Sequence, residues 1–208
     1  MRLANRLGTC AAGLVLALST VLVAACGGGG GDGGGGTGSL VTASFLGSGA
    51  VASPNHVRLT SPSTSGDQVI VEVKIAGLTT STDLYSFAFD LVLSDPTVAT
   101  YINGSAQFGD ALTLVGLQTG GVQVTQSGNR VVVGVSKLGG GGGNQVPAGE
   151  KVVVRLTFRV LKVGTTLVGF SGQVSSQNPT GGPAALDSTG TIIPTVQFDN
   201  GAAELNGT

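Results

Sequence analysis

Few residues in this chain are equipped for chemistry. The single imidazole is His56, beside Pro54-Asn55 at the start of an apolar stretch, and the two thiols are Cys10 and Cys26. One His and two such separated Cys do not make a zinc cage or a Cys–His nucleophile pair. A glycosidase needs two carboxylates facing across a cleft, and a serine hydrolase needs a Ser–His–acid set. The eleven acids here are scattered about one to a strand or turn, as on a solvated surface. His56 reads as an exposed or hydrogen-bonded structural residue. No catalytic residue, metal ligand or cofactor is assigned. Ten basic side chains against those acids leave a formal net charge of −1. That is no field for nucleic acid, whose binding rests on cations at the phosphates.

Cys26 carries the clearest chemical signal. Arg2 and Arg6 precede an apolar stretch from Leu7 to Ala25, and the string Val23-Ala24-Ala25-Cys26 ends it. A positive n-region, an apolar run and small residues at the cut are the parts of an export signal. The four-residue string resembles the lipobox of bacterial lipoproteins. That resemblance implies cleavage after residue 25, acylation of the Cys26 thiol and anchoring in a membrane. The run is nearly long enough for an uncleaved spanning anchor. Its ending on a Cys followed by glycines favours the lipidated form. Several acyl chains hold a protein to a bilayer where a single chain does not. By resemblance to Gram-negative lipoproteins, Gly27 in place of Asp implies an exported protein of the outer membrane. Whether it faces the periplasm or the cell surface is left open. Cys10 leaves with the signal and Cys26 is acylated, so the mature chain is expected to form no disulfide.

Residues 26–39 form the lipidated Cys and a tether. Gly27–Gly38 is glycine apart from Asp32 and Thr37. Such a run behaves as a flexible coil about 20 Å across on average. The domain proper is 40–208.

From Leu40 onward the apolar period is two, the signature of half-buried strands. Val69, Val71, Val73 and Ile75 share one side of Gln68–Ala76. Tyr85, Phe87, Phe89, Leu91 and Leu93 do so in Leu84–Leu93, and Val131, Val133 and Val135 in Arg130–Ser136. In Lys151–Leu161 the inward set reads Val152, Val154, Leu156, Phe158 and Val160. Further strands are expected at Val41–Leu46, Asn55–Leu59, Val98–Ile102, Leu112–Leu117, Val122–Gln126, Thr165–Phe170 and Thr195–Leu205. Ser61-Pro62-Ser63, Asp95-Pro96, Ser127-Gly128-Asn129 and Gly181-Gly182-Pro183 read as turns. The expectation is an all-β, two-sheet antiparallel sandwich of jelly-roll topology, with about nine to ten strands.

The strand Asp83-Leu84-Tyr85-Ser86-Phe87-Ala88-Phe89-Asp90-Leu91, running into Asp95-Pro96-Thr97-Val98, resembles the cohesin domain. Matching pieces follow in order: Arg130–Ser136, Val154–Val160, the Gly164-Thr165 turn, and Asp187-Ser188-Thr189-Gly190 with the last strand. The likeness covers about Ala43 to Leu205. Two features depart from it. Leu93-Ser94 stands where the family places an aromatic before Asp-Pro, and the loop Gly139–Gly143 is unlike that of most members. The resemblance implies a jelly-roll receptor that binds dockerin modules on one flat sheet face, with calcium carried by the dockerin. Asp187-x-x-Gly190 has too few acids for a calcium loop, so this chain is the receptor. The solvent-facing positions of the two matched strands are Ser86, Ala88 and Asp90 with Arg130, Val132 and Ser136; Leu84 and Gly134 share that parity.

The receptor reading carries with it a link to polysaccharide breakdown. Two other readings stand beside this one. A carbohydrate-binding module, which would bind polysaccharide directly, shares the superfamily fold. It normally stacks sugars on flat aromatics, and this chain has no Trp and two Tyr, Tyr85 and Tyr101, both poorly placed. The other is a generic cell-envelope sandwich, which differs in partner rather than in fold.

Overall fold

The computed structural model of this protein describes residues 40–77, 83–113, 120–138, 142–143, 149–171 and 182–208. The chain divides after Thr37, and the described residues belong to the unit Gly38–Thr208. Cys26 and the glycine tether lie outside them.

Thirteen strands form among the described residues. They are β1 (Ala43–Leu46), β2 (His56–Ser65), β3 (Gln68–Ala76), β4 (Leu84–Leu93), β5 (Ala99–Tyr101), β6 (Gln107–Phe108), β7 (Gly120–Ser127), β8 (Arg130–Lys137), β9 (Glu150–Val160), β10 (Gly164–Phe170), β11 (Ala184–Asp187), β12 (Gln197–Phe198) and β13 (Ala203–Gly207). They make two sheets, as the alternating pattern required. The front sheet runs β1-β13-β10-β4-β8-β7, with β11 also pairing β4. The back sheet runs β12-β2-β3-β9-β5, with β6 also pairing β9. Among the described residues no helix is long and apolar enough to cross a membrane.

The inward faces meet in one core. Val69, Val71, Val73 and Ile75 of β3 are fully buried, as are Leu91 and Leu93 of β4 and Leu156 and Phe158 of β9. Each such side chain contributes up to about 1.5–3 kcal/mol by leaving water. Four phenylalanines tie the sheets together. Phe170 lies 5.1 Å from Phe198, and Phe89 lies 5.5 Å from Phe170 and 6.1 Å from Phe198. Phe87 meets Phe198 edge-on at 6.4 Å.

Several local expectations need correction. The sandwich is not wholly antiparallel, because β12 pairs β2 in parallel. Ser61-Pro62-Ser63 is not a turn but lies inside β2, where the register slips between Thr60 and Ser63. That irregularity tolerates Pro62, which has no N–H for the ladder. The reversal comes instead at Gly66-Asp67, with Gly66 at φ 57°. Tyr85 is the extra residue of a bulge, since Leu186 pairs Ser86 while Asp187 pairs Leu84. A bulge inverts the parity before it, so Leu84 is buried and Tyr85 half-buried, the reverse of the period-two reading. Val153 is a second such residue: Val73 pairs Val154 and Lys74 pairs Val152. Val153 therefore joins the core, and Val152 sits opposite the outward Lys74. The expected strand Leu112–Leu117 does not start at Leu112, and 114–119 lie outside the described residues. Thr195–Leu205 divides into β12 and β13, while β6 and β11 are strands without an expected counterpart.

Candidate partner-binding face

β4 and β8 run side by side in the front sheet. Ser86 pairs Ser136, Ala88 pairs Gly134, Asp90 pairs Val132 and Val92 pairs Arg130. All six residues singled out in the sequence therefore lie on one face of two adjacent strands, with Phe87, Phe89, Val131, Val133 and Val135 turned the other way into the core. Ala88 is exposed and Val132 is 45% exposed; Ser86, Asp90, Arg130 and Ser136 are half-buried.

The middle of this face is low. Across the Ala88 row the side chains are those of Ala184 on β11, Ala88 on β4 and glycine at 134 on β8. The polar part sits to one side, where Arg130 Nη1 donates to Asp90 Oδ2 at 3.0 Å. The face thus presents small and aliphatic groups around one neutralised ion pair.

The strand expected at Val122–Gln126 forms as β7, but sequence reasoning did not place it on this surface. β7 pairs β8 along its whole length, so Gln123 lies opposite Gly134, Thr125 opposite Val132 and Ser127 opposite Arg130. Gln123, Thr125 and Ser127 are exposed and extend the same face. The signal was present: the two-residue connection Gly128-Asn129 joins two alternating strands, which forces a hairpin. Gly128 supplies the positive φ, 59°, that such a turn needs. Beside β7 a cavity of about 400 Å³ opens between Tyr101, Asn103, Gly104 and Ala106 and the strand residues Val122–Thr125. Gln126 ties β7 to β5 by accepting from Tyr101 N at 2.8 Å and from Thr100 Oγ1 at 2.9 Å.

The back sheet's outward face has another character. Glu72, 4% exposed, is gripped by Arg155 at 2.7 Å and Lys74 at 3.1 Å. Arg58 pairs Glu150 at 2.7 Å and Arg159 pairs Asp67 at 3.2 Å. Among the described residues, no exposed large aliphatic lies on a back-sheet strand, whereas Val132, Leu167 and Leu46 all lie on front-sheet strands. Covering the back face would desolvate a lattice of charges already satisfied by one another. Covering the front face displaces water mostly from aliphatic and backbone surface.

The other sequence candidates do not gather into a site. His56 is half-buried at the parallel pairing with Gln197. Among the described residues no group of three His, Cys, Asp or Glu is placed to hold a metal ion. Tyr101 is 5% exposed and packs on Phe158 at 6.0 Å. Tyr85 is half-buried, with the Lys137 ammonium 5.9 Å from its ring centre. None of the described aromatics is exposed.

At the end of the sandwich where β4 begins, carboxylates organise the loops. Asp83 accepts from the Ser188 hydroxyl and backbone N–H and from Gly143 N. Asp187 accepts from Thr189 Oγ1 at 2.7 Å, Thr191 N at 2.8 Å and Thr189 N at 2.9 Å. These donors, the Ser188 and Thr189 hydroxyls first, hold both carboxyls below the usual carboxylate range. A carboxyl depressed in the folded state stabilises above its unfolded pKa and loses that contribution as pH falls through the folded value. The melting temperature should thus be higher for the wild type than for Asp83→Asn near neutrality. The two curves should converge as pH drops below about 4. A gap that persists unchanged into acid would show that the carboxylate charge at Asp83 does not matter.

No family model matches the sequence, and no curated protein does. The architecture, however, is similar to that of solved type II cohesins. The second type II cohesin module of the cellulosomal adaptor ScaA scaffoldin of Acetivibrio cellulolyticus superposes with a TM-score of 0.51 at 17% identity, over 82% of this chain and 98% of that one. Type II cohesin A11 from Bacteroides cellulosolvens gives 0.51 at 14% identity, over 70% and 96%. The type II cohesin dyad of the same ScaA scaffoldin gives 0.51 at 15%, over 71% of this chain and 47% of the dyad. The domain therefore has the cohesin fold, an all-β jelly-roll sandwich.

Proposed function

We propose that this protein is a non-catalytic binding module of the cohesin kind, anchored by lipid on Cys26 to the outer membrane, that captures dockerin-bearing proteins. One observation carries the reading. Ser86, Ala88, Asp90, Arg130, Val132 and Ser136 share a low, weakly charged face of paired strands, while the opposite face is closed by ion pairs. A rigid face of small residues suits a helix laid flat on it, with Val132 and Ala88 in apolar contact and the Ser and Asp–Arg groups at the rim. A link to polysaccharide breakdown would come through the captured protein rather than this chain. Direct sugar binding is less well supported, because every described aromatic is buried or half-buried.

Capture from the proteins of the same cells tests this reading. The immobilised protein should retain one with paired acidic calcium loops, and a chelator should release it, since the calcium belongs to the partner. Retention of nothing, or of a partner indifferent to chelator, would sink the dockerin assignment.

A further inference from the structure

A second surface lies at the end of the sandwich where the chain enters. The turn from β9 to β10 is Leu161-Lys162-Val163, and its two aliphatic side chains point to solvent, Leu161 50% and Val163 63% exposed. The turn is not loose. Leu161 N donates to Val98 O at 2.7 Å and Lys162 Nζ to Thr97 Oγ1 at 2.7 Å. The N-terminal entry lies against it. A Cβ on Gly207 would meet the Lys162 carbonyl oxygen at 2.4 Å and Val41 Cγ1 at 3.0 Å, so the turn, the last strand and the entering chain touch at one point. Thr42 and Thr208 clasp that point through two backbone bonds of 2.9 and 3.0 Å. Leu40, the residue before Val41, is 93% exposed. Leu40, Leu161 and Val163 thus expose three aliphatic side chains close to the point where the chain enters, with Lys162 between the last two and its ammonium on Thr97. Charge at this end is balanced, Arg159 being paired with Asp67 and Lys162 lying near Asp95.

We propose that this end is a membrane-contact site, at which Leu40, Leu161 and Val163 enter the headgroup–acyl boundary of the bilayer that holds Cys26. The inference rests on the reading of Cys26 as lipidated. Residues 26–39 reach at most about 50 Å when fully extended, at roughly 3.3–3.6 Å each, and average about 20 Å as a glycine coil. The domain is joined to the tether at this end, so a tether of that length keeps the tip within reach of the lipid. Its effective concentration at the bilayer is therefore high, and a weak interfacial contact suffices. Exposed aliphatics beside a lysine, whose stem can lie in the boundary while its ammonium stays with the headgroups, match that interface. Contact there holds the sandwich end-on, with both sheet faces standing away from the membrane.

The test uses the full acylated chain, purified from cells that process lipoproteins and reconstituted in vesicles of phosphatidylethanolamine and phosphatidylglycerol. The acylated Cys26 leaves an introduced thiol as the one reactive group. A polarity-sensitive dye on Lys162→Cys should be quenched severalfold more by acyl-chain quenchers than the same dye on Thr113→Cys. Thr113 is exposed near the start of β9, at the far end of the sandwich. Adding Leu161→Ser and Val163→Ser should abolish the excess quenching while the protein stays on the vesicles and its melting temperature holds. The mass of the mature chain reports acylation independently. An acylated protein with equal quenching at both positions overturns the contact and leaves the anchor standing. A chain without acyl mass overturns the anchor, and with it the contact.

Discussion

Phe89→Ala is expected to cost about 3–5 kcal/mol of stability, the usual loss for a deleted buried aromatic. Phe89 is 4% exposed and lies in the middle of β4, between Phe170 of its own sheet and Phe198 of the other. β4 has neighbours on both edges, β8 on one and β10 with β11 on the other. The strand cannot slide to fill the void, because moving it breaks two ladders at once. The Phe170–Phe198 contact also loses its third ring, so the cost includes edge-on aromatic geometry as well as buried area. Denaturant or thermal unfolding of the full chain measures it, with a drop in melting temperature on the order of 10 °C. Val132→Ala, one residue from the matching position on β8 and facing solvent, is the control and should stay within about 0.5 kcal/mol. A loss that small for Phe89→Ala would place the ring at the surface and reverse the face assigned to partner binding.

That dependence shows how far the sequence could be read. Where alternation is clean, as in Phe87-Ala88-Phe89-Asp90-Leu91, parity alone tells which side chains meet the core and which face outward. It fails where one residue is added. The run Val152-Val153-Val154 carries no parity of its own, so nothing local says that Val153 rather than Val152 turns inward; the pairing with Val73 and Lys74 decides it. Tyr85 looked like a core residue because the count was carried through its bulge. The short strands β6, β11 and β12 owe their existence to neighbours distant in sequence, and two to four residues offer no period to detect. His56 gave no sign that its strand takes a parallel partner, Gln197, from near the other terminus. The six face residues were legible because both of their strands alternate cleanly from Ser86 and Arg130 onward. Their adjacency was not: it follows from the register of β4 against β8, which the family resemblance implied and no local pattern contains.

Ala88→Arg is the second large effect, on binding instead of folding. Ala88 is exposed at the centre of the front face, flanked by Ala184 and Gly134, neither of which carries a side chain beyond Cβ. An arginine there has room to stand in solvent, so the melting temperature should hardly move. Seated under a partner helix, the same side chain has two outcomes. It props the helix off the sheet and forfeits the apolar contact of Val132, or it is buried with its charge unpaired, since Asp90 is already committed to Arg130 at 3.0 Å. Either outcome costs a central contact of the kind worth about 2 kcal/mol or more, roughly a 30-fold weakening. Calorimetric titration with the captured partner gives the affinity, and melting curves on the same samples give the fold. Equal affinity for wild type and variant would move the contact off the β4–β8 strands, leaving the cavity beside β7 or the loops at the Asp83 end to carry it. A matching loss of affinity and of melting temperature would mean that the arginine had damaged the sandwich. The face is the binding surface only if affinity falls while stability stays, because only a residue that meets the partner and not the core can separate the two.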